Sequence, residues 1–400
     1  MGNHEIKVIH PTGGWEIVHR ADCCGGPLRL NVDGQLVVSG FDTSFDGIGS
    51  EAMTVKKARV YHKSGVAVFE GEGVFPSGPE TGVWTACRYA GNIARITTDL
   101  SIKKETAVKQ GIQCGSMTLH GKWVSLITVP DFAKTALSEG QVIHYDELPL
   151  AWVFEREDGF KLEIDTGFDL WRWKNSVEPG HAVADVEIFA DHVDFKRHLL
   201  VVTNDSEEGI QPTPRDYRFY SQLAWSTPAL YADVTNMPEL THLEVLPKGK
   251  GVDVKALGEK PAVSIDFSEL TALDSMHVTR DDKLEKELCW ECNNTKLAAK
   301  RIIRQLAAKS AEGFLQIENG MTPSVCDNGK HVDRPGKTVP HWDLNGITSF
   351  AVWARQCLGD GWQVVVKQPE PWAGLPSLRG LFAPNGFSKA DLSVDEENTK

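Results

Sequence analysis

The stretch LRLNVDGQLVV, residues 28–38, decides the fold class. Leu28, Leu30 and Val32 alternate with polar residues. Asp33-Gly34 then supplies the positive backbone angles of a two-residue hairpin turn, and Leu36 and Val38 resume the alternation. Strands joined this tightly run antiparallel. The same grammar recurs along the chain. Residues 55–62 and 66–75 pair across Lys63-Ser64-Gly65, and 151–156 pairs with 160–165 across Glu157-Asp158-Gly159. Further strands are expected at 92–100, 112–120, 123–129, 183–189, 193–203, 217–225, 242–247 and 261–267. Many strands with short turns and little helical periodicity between them predict a mainly β chain. The expected architecture is a large antiparallel β-sandwich over residues 1–275.

The pattern changes near residue 280. Asp281-Asp282 place negative charge where a helix start favours it. Leu284, Leu288 and Cys292 recur every four residues, and Leu297, Ile302, Ile303 and Leu306 continue the stripe to Gly313. Asn293-Asn294 marks a kink, or a break between two helices. A second helix is expected over 348–358, with Phe350, Ala351, Ala354 and Leu358 inward, followed by a strand from Trp362 to Val366. Residues 276–388 thus form a C-terminal helical segment with a long loop and a final strand packed on the sandwich. Residues 389–400 read as an acidic tail. The stretch 318–346 is rich in Gly, Pro, Asn and Asp, and irregular stretches of that length often carry function.

Composition narrows the function. The 400 residues are 41% hydrophobic and 24% charged, enough apolar surface for a large core. A net charge of -13 argues against a nucleic-acid partner and against an anionic membrane surface. No apolar run is long enough to span a bilayer, and MGNHEIKVIHPTGG lacks the apolar core of a secretory signal. Eight irregularly spaced cysteines are most simply reduced thiols of a cytoplasmic protein. No cofactor motif is present: there is no phosphate loop, HExxH or calcium loop. Cys289-Trp290-Glu291-Cys292 invites a zinc reading with Cys326 and His331. Its place within an apolar helical stripe favours buried free cysteines, so no metal is expected.

The runs GNIARITTDLSIKKET (91–106) and GIQCGSMTLHGKW (111–123) set two long strands beside charged turns. In this the chain resembles the galactose mutarotase-like β-supersandwich, shared by sugar-hydrolase and polysaccharide-lyase domains. The resemblance spans about the first two thirds of the chain. It implies a concave sheet face that holds a carbohydrate ligand. The His and Glu motifs of aldose epimerases are not recognisable here, so no catalytic residue carries over.

Candidate site residues come from strand faces, because residues i and i+2 point the same way from a strand. Asp185 and Glu187 share one face; so do His192, Asp194, Lys196 and His198, and Asp216, Arg218, Tyr220 and Gln222. Glu187, His198, Asp216, Arg218 and Tyr220 together offer the groups for acid/base chemistry on a glycan. Hydrolysis needs two carboxylates. β-Elimination needs Arg218 to neutralise a uronate while His198 or Tyr220 moves protons. The alternative is a solvated sheet face. Asp169, Trp171 and Trp173 share a face as a platform for a sugar ring, or as packed core. His192 of the second row is expected to contact the ligand, and His341-Trp342-Asp343, in the long irregular stretch, is either a site corner or a helix entry. Two classes therefore remain open: a carbohydrate-active enzyme, or a non-catalytic carbohydrate-binding or assembly protein. In the second class the C-terminal helices would meet a second subunit in a homo-oligomer.

Overall fold

The computed structural model describes residues 5–9, 14–20, 22, 28–63, 66–76, 81–90, 92–104, 107–146, 148–165, 183–200, 215–226, 238–280, 282–290, 292–318, 340–359, 361–367, 371 and 374–379. It is mainly β and divides into two compact units. One comprises residues 1–89 and 94–223; the other comprises 90–93 and 224–388.

The first unit is a large β-sandwich. One nine-stranded sheet contains β1 (Glu5–Ile9), β2 (Trp15–Arg20), β3 (Leu28–Val32), β4 (Gln35–Phe45), β5 (Ile48–Gly49), β10 (Ile112–His120), β13 (Val142–Tyr145), β16 (Val183–Ile188) and β17 (His192–Leu200). The other contains β6 (Thr54–Lys63), β7 (Val66–Val74), β8 (Gly82–Ala90), β9 (Ile93–Ile102), β11 (Trp123–Val129), β12 (Ala133–Ala136), β14 (Ala151–Arg156), β15 (Lys161–Asp165) and β18 (Arg215–Trp225). Their orders are β1-β2-β3-β4-β10-β17-β16-β13, with β5 on β4, and β12-β11-β14-β15-β18-β9-β8-β7-β6. The Asp33-Gly34 turn forms as expected, with φ of 49° and 77°.

Aromatic contacts join the sheets face to face. Trp152 of β14 meets Phe195 of β17 edge-on at 4.9 Å, and His19 of β2 stacks on Phe69 of β7 at 3.9 Å. Phe45, Ile112 and Cys114 of one sheet cluster with Val83, Leu100, Ile102 and Phe219 of the other. Charged side chains are buried here as well, Glu163, Asp165 and Arg197 among them. Arg197 of β17 is buried, donating from Nε to the Cys114 carbonyl (2.7 Å) and from a terminal nitrogen to Ser221 Oγ (2.6 Å).

The second unit departs from the expected antiparallel pattern. The strands foreseen near 242 and 261 exist as β19 (Thr241–Leu243) and β20 (Ala262–Asp266), but they pair in parallel. β20, β23 (Gly313–Glu318) and β24 (Trp362–Lys367) continue the parallel ladder, in the order β19-β20-β23-β24. Parallel neighbours need crossovers, and two helices supply them: α1 (Asn293–Lys309) before β23 and α2 (Pro340–Leu358) before β24. The apolar residues Ile302, Ile303 and Leu306 of α1, and Ile347, Phe350, Ala351, Ala354 and Leu358 of α2, are buried.

The helix expected to begin at 281 is instead a hairpin, β21 (Ser275–Arg280) with β22 (Lys283–Leu288). A spacing of four satisfies a strand of period two as well as a helix, so Leu284 and Leu288 cannot tell the two apart. Leu284 is 71% exposed, which a core stripe would not allow. Helix α1 starts only after Cys292, its N-cap residue. The CxxC motif therefore precedes the helix rather than lying inside it, and Cys289 and Cys292 are both buried. Asp274 satisfies the helix start, its Oδ2 accepting from the backbone of Asn294 (2.9 Å) and Thr295 (3.2 Å). Helix α2 begins at Pro340 rather than 348, because proline suits the first helical position.

Candidate functional site

The structure separates the expected polar rows. β16 and β17 are neighbours in one sheet, with Asp185 opposite Lys196 and Glu187 opposite Asp194. β18, carrying Asp216, Arg218 and Tyr220, belongs to the other sheet. The side chains of those three lie outside the described residues, as do Asp169, Trp171, Trp173, Cys326 and His331 altogether. His341, Trp342 and Asp343 fall in the first turn of α2 rather than in a loop, and their side chains too lie outside the described residues.

On the β16–β17 face the polar groups satisfy one another. Asp185 bridges His144 Nδ1 (2.6 Å) and His198 Nε2 (3.4 Å), and Lys196 lies 3.6 Å from Glu187. Thr118 donates to Asp194 at 2.8 Å, and His192 pairs with Asp191 at 2.8 Å. Hydrogen bonds to Asp185 and Asp146 hold the His144 pKa above its ordinary value; burial outweighs Asp185 and pulls His198 below. This is a half-exposed face of mutual pairs.

The second unit brings together a different set. In register, Ser264 lies beside Gln316 and Val365, and Asp266 lies beside Glu318 and Lys367. Register partners share a face, so β19, β20, β23 and β24 present His242, Ser264, Asp266, Gln316, Glu318, Gln363 and Lys367 on one side, together with Ala262 and the buried Phe314 and Val365. The other side carries Val263, Ile265, Leu315, Ile317, Val364 and Val366, all buried. Trp362 shares that apolar side, and its indole N–H donates to the carbonyl of Ser310, the residue ending α1 (3.0 Å). Parallel sheets are ordinarily apolar on both faces, and the departure here is Ser264 and Gln316, buried beside Phe314 and Val365.

Charge concentrates at the carboxyl ends. Asp266, Glu318 and Lys367 are the last residues of three adjacent strands. Neighbouring strands lie about 4.8 Å apart, which sets the Asp266 and Glu318 backbones at that separation and Lys367 one step beyond. Residues below them brace the row. Gln316 Nε2 donates to Glu318 Oε1 at 3.1 Å, and His242 Nδ1 lies 3.3 Å from Ser264 Oγ. Asp266 Oδ1 accepts from the Ser268 backbone at 2.9 Å. Two carboxyls and an ammonium side by side can protonate a leaving oxygen, attack or deprotonate a nucleophile, and balance charge. No three His, Cys, Asp or Glu side chains converge as metal ligands among the described residues.

Sequence reasoning missed this trio, though it left a trace. AVSID (262–266), FLQIE (314–318) and QVVVK (363–367) are three short β-forming runs, each ending in a charge.

No family model matches the chain, and no curated protein matches it in sequence. Among solved structures it is similar to the Slr1438 protein of Synechocystis sp. PCC 6803, at 9% identity over 57% of this chain and 97% of that one, with a TM-score of 0.36. It is similar to the alpha-N-acetylgalactosaminidase NagBb of Bifidobacterium bifidum in complex with Gal-NHAc-DNJ, at 10% identity, 90% and 76% coverage, and a TM-score of 0.37. A glycoside hydrolase family 97 enzyme of Pseudoalteromonas sp. strain K8 in complex with acarbose matches at 12% identity, 90% and 53% coverage, and 0.35. The likeness to these carbohydrate-active enzymes is weak and concerns the fold.

Proposed function

We propose that this chain is a carbohydrate-active enzyme that cleaves glycosidic bonds with Asp266 and Glu318. The observation that carries the reading is their register pairing at the carboxyl ends of adjacent parallel strands. Glycoside hydrolysis calls for two carboxyl groups flanking the bond. A separation near 5 Å suits a carboxylate that attacks the anomeric carbon while its partner protonates the leaving oxygen. Backbones one strand spacing apart, about 4.8 Å, suit that short class, so the expected outcome is retention of anomeric configuration. Gln316 donates to Glu318, and Lys367 stands beside Glu318 in register, where its ammonium would offset the pair's negative charge. This pair is preferred to Glu187 and His198, whose face is half-exposed and already engaged in ion pairs.

The test is product release from a glycan panel, read by reducing ends and by unsaturated products, for the wild type, Glu318→Gln and Asp266→Asn. Both variants are expected to lose at least about a hundredfold in kcat with melting unchanged. NMR of the first product is expected to show the starting anomer. Full activity in both variants, or only unsaturated products, refutes the assignment.

A further inference from the structure

The sandwich unit holds a cavity of 590 Å³ on the outer face of the sheet that contains β6 to β9. Its walls include Lys56, Glu72, Trp84, Asp99, Ser101 and Lys103. None of these was singled out by sequence pattern, and none belongs to the Asp266–Glu318 pair. The volume falls in the usual range for small-molecule sites.

Each residue arrives by strand alternation. Val83, Thr85, Cys87 and Tyr89 of β8 are buried; Trp84, at the alternate position, is only partly so and faces the cavity. Its register partner on β7 is Glu72, and β9 on the other side brings Asp99. Gly82 lines the floor beside them without a side chain. The indole is held at its edge. Its N–H donates to Glu70 Oε1 at 3.0 Å, and Glu70 is held in turn by Arg59 Nε at 2.6 Å and Lys57 at 3.5 Å. Burial pushes the Glu70 carboxyl up, but the Trp84 hydrogen bond and the two cations outweigh it and keep it ionised. A ring anchored this way is a pre-oriented flat surface, and fixing it in advance lowers the ordering cost of binding.

We propose that this cavity is a second, non-catalytic subsite that binds an uncharged sugar ring stacked on Trp84; the proposal rests on the carbohydrate reading above. An indole face takes the C–H face of a pyranose. Around it, Glu72 and Asp99 accept from hydroxyls, and Lys56, Lys103 and Ser101 donate to them. Two carboxylates and two ammonium groups cancel, so the lining has no net attraction for a uronate or a sulfated sugar. The matching ligand is a neutral oligosaccharide.

The experiment uses the full chain carrying Glu318→Gln, so that bound sugar persists. Calorimetry is run with maltohexaose, cellohexaose, chitohexaose and mannohexaose, and with polygalacturonate and heparin hexasaccharides as charged comparators. A neutral hexasaccharide is expected to bind. Trp84→Ala is expected to weaken that binding by about tenfold or more. Trp84→Phe, which keeps a ring, is expected to lose less. Glu72→Gln with Asp99→Asn, which leaves the platform intact, is expected to weaken binding while melting stays put. Binding that is unaffected by Trp84→Ala and by the carboxylate pair overturns the subsite but leaves the enzyme reading intact. Preference for the charged comparators overturns the neutral assignment. Cleavage of a hexasaccharide by the wild type, with none bound at Trp84, has the first meaning as well. No binding and no cleavage of any probe sinks both.

Discussion

His19 offers a sharp test of the sandwich core. It is 2% exposed, stacked on Phe69 and hydrogen-bonded to the Tyr89 hydroxyl. Burial lowers its pKa from 6.5 to about 3, so the folded protein holds it neutral. Below pH 6.5 the unfolded chain takes up a proton at this residue that the folded chain refuses. Stability therefore falls as pH drops from 6.5 towards 3, by about 1.4 kcal/mol per pH unit. At pH 4.5 the loss from this residue is about 2.7 kcal/mol, and the full span is worth about 5 kcal/mol. Other groups titrate in the same range with both signs. Burial and Glu163 push Asp165 up, so its contribution is lost as pH rises, opposite to His19; Lys134 holds Glu155 down, which works in the same sense as His19. The informative quantity is thus a difference between proteins. His19→Gln cannot titrate, and whatever constant penalty it carries cancels between two pH values. Urea unfolding of both proteins at pH 7.5 and pH 4.5, followed by circular dichroism, is expected to show the wild type losing about 2–3 kcal/mol more than the variant on acidification. Equal losses in the two proteins, or a His19 NMR titration near 6.5, would refute the buried neutral imidazole.

Two further expectations concern the second unit. A Cβ at Gly313 would sit 2.6 Å from the Pro261 carbonyl oxygen and 2.9 Å from the Trp362 ring, both immobile neighbours. Gly313→Ala is expected to cost about 1–3 kcal/mol in a denaturant melt, and an unchanged midpoint would contradict the register of β20, β23 and β24. Asp274→Ala removes the carboxylate that accepts two backbone N–H groups at the start of α1, and a loss of about 1–2 kcal/mol is expected in the same measurement.

What could be read directly was whatever neighbouring residues settle between themselves. The hairpin at Asp33-Gly34, and the strands over 112–120 and 123–129, depend on alternation and turn chemistry within a dozen residues, and they appear where expected. Leu284, Leu288 and Cys292 failed because a four-residue interval is common to both periodicities; Asp282, at φ 61°, turns the chain back and makes the hairpin. The strands at 242 and 261 were legible as strands but not as parallel ones, since a five-residue run carries no mark of its neighbour's direction. That information sits in the crossover helix, whose true start at Asn293 was obscured by the misread segment before it. Sites were least legible. Asp266 and Glu318 are separated by more than fifty residues, and only the ladder register puts them side by side. Trp84 sits in a strand with ordinary alternation, so its outward direction becomes visible only once the buried partners Val83 and Thr85 are known.

The polar face of the parallel sheet still has to be weighed against the simplest rival, a surface wetted by solvent. Lys367 and Gln363 are exposed and fit that rival. Ser264 and Gln316 do not: they are 4% and 7% exposed, in the middle of their strands. Burying an amide or a hydroxyl costs about 1–3 kcal/mol unless a partner compensates, so apolar residues would be the default there. The partner of Gln316 is Glu318, next but one on the same strand, and Ser264 meets His242 on the neighbouring strand. A buried amide bracing a carboxylate at a strand's carboxyl end restricts where that carboxylate can point. Solvent exposure gives no reason for such bracing, whereas a group that must meet a reacting bond in one orientation does.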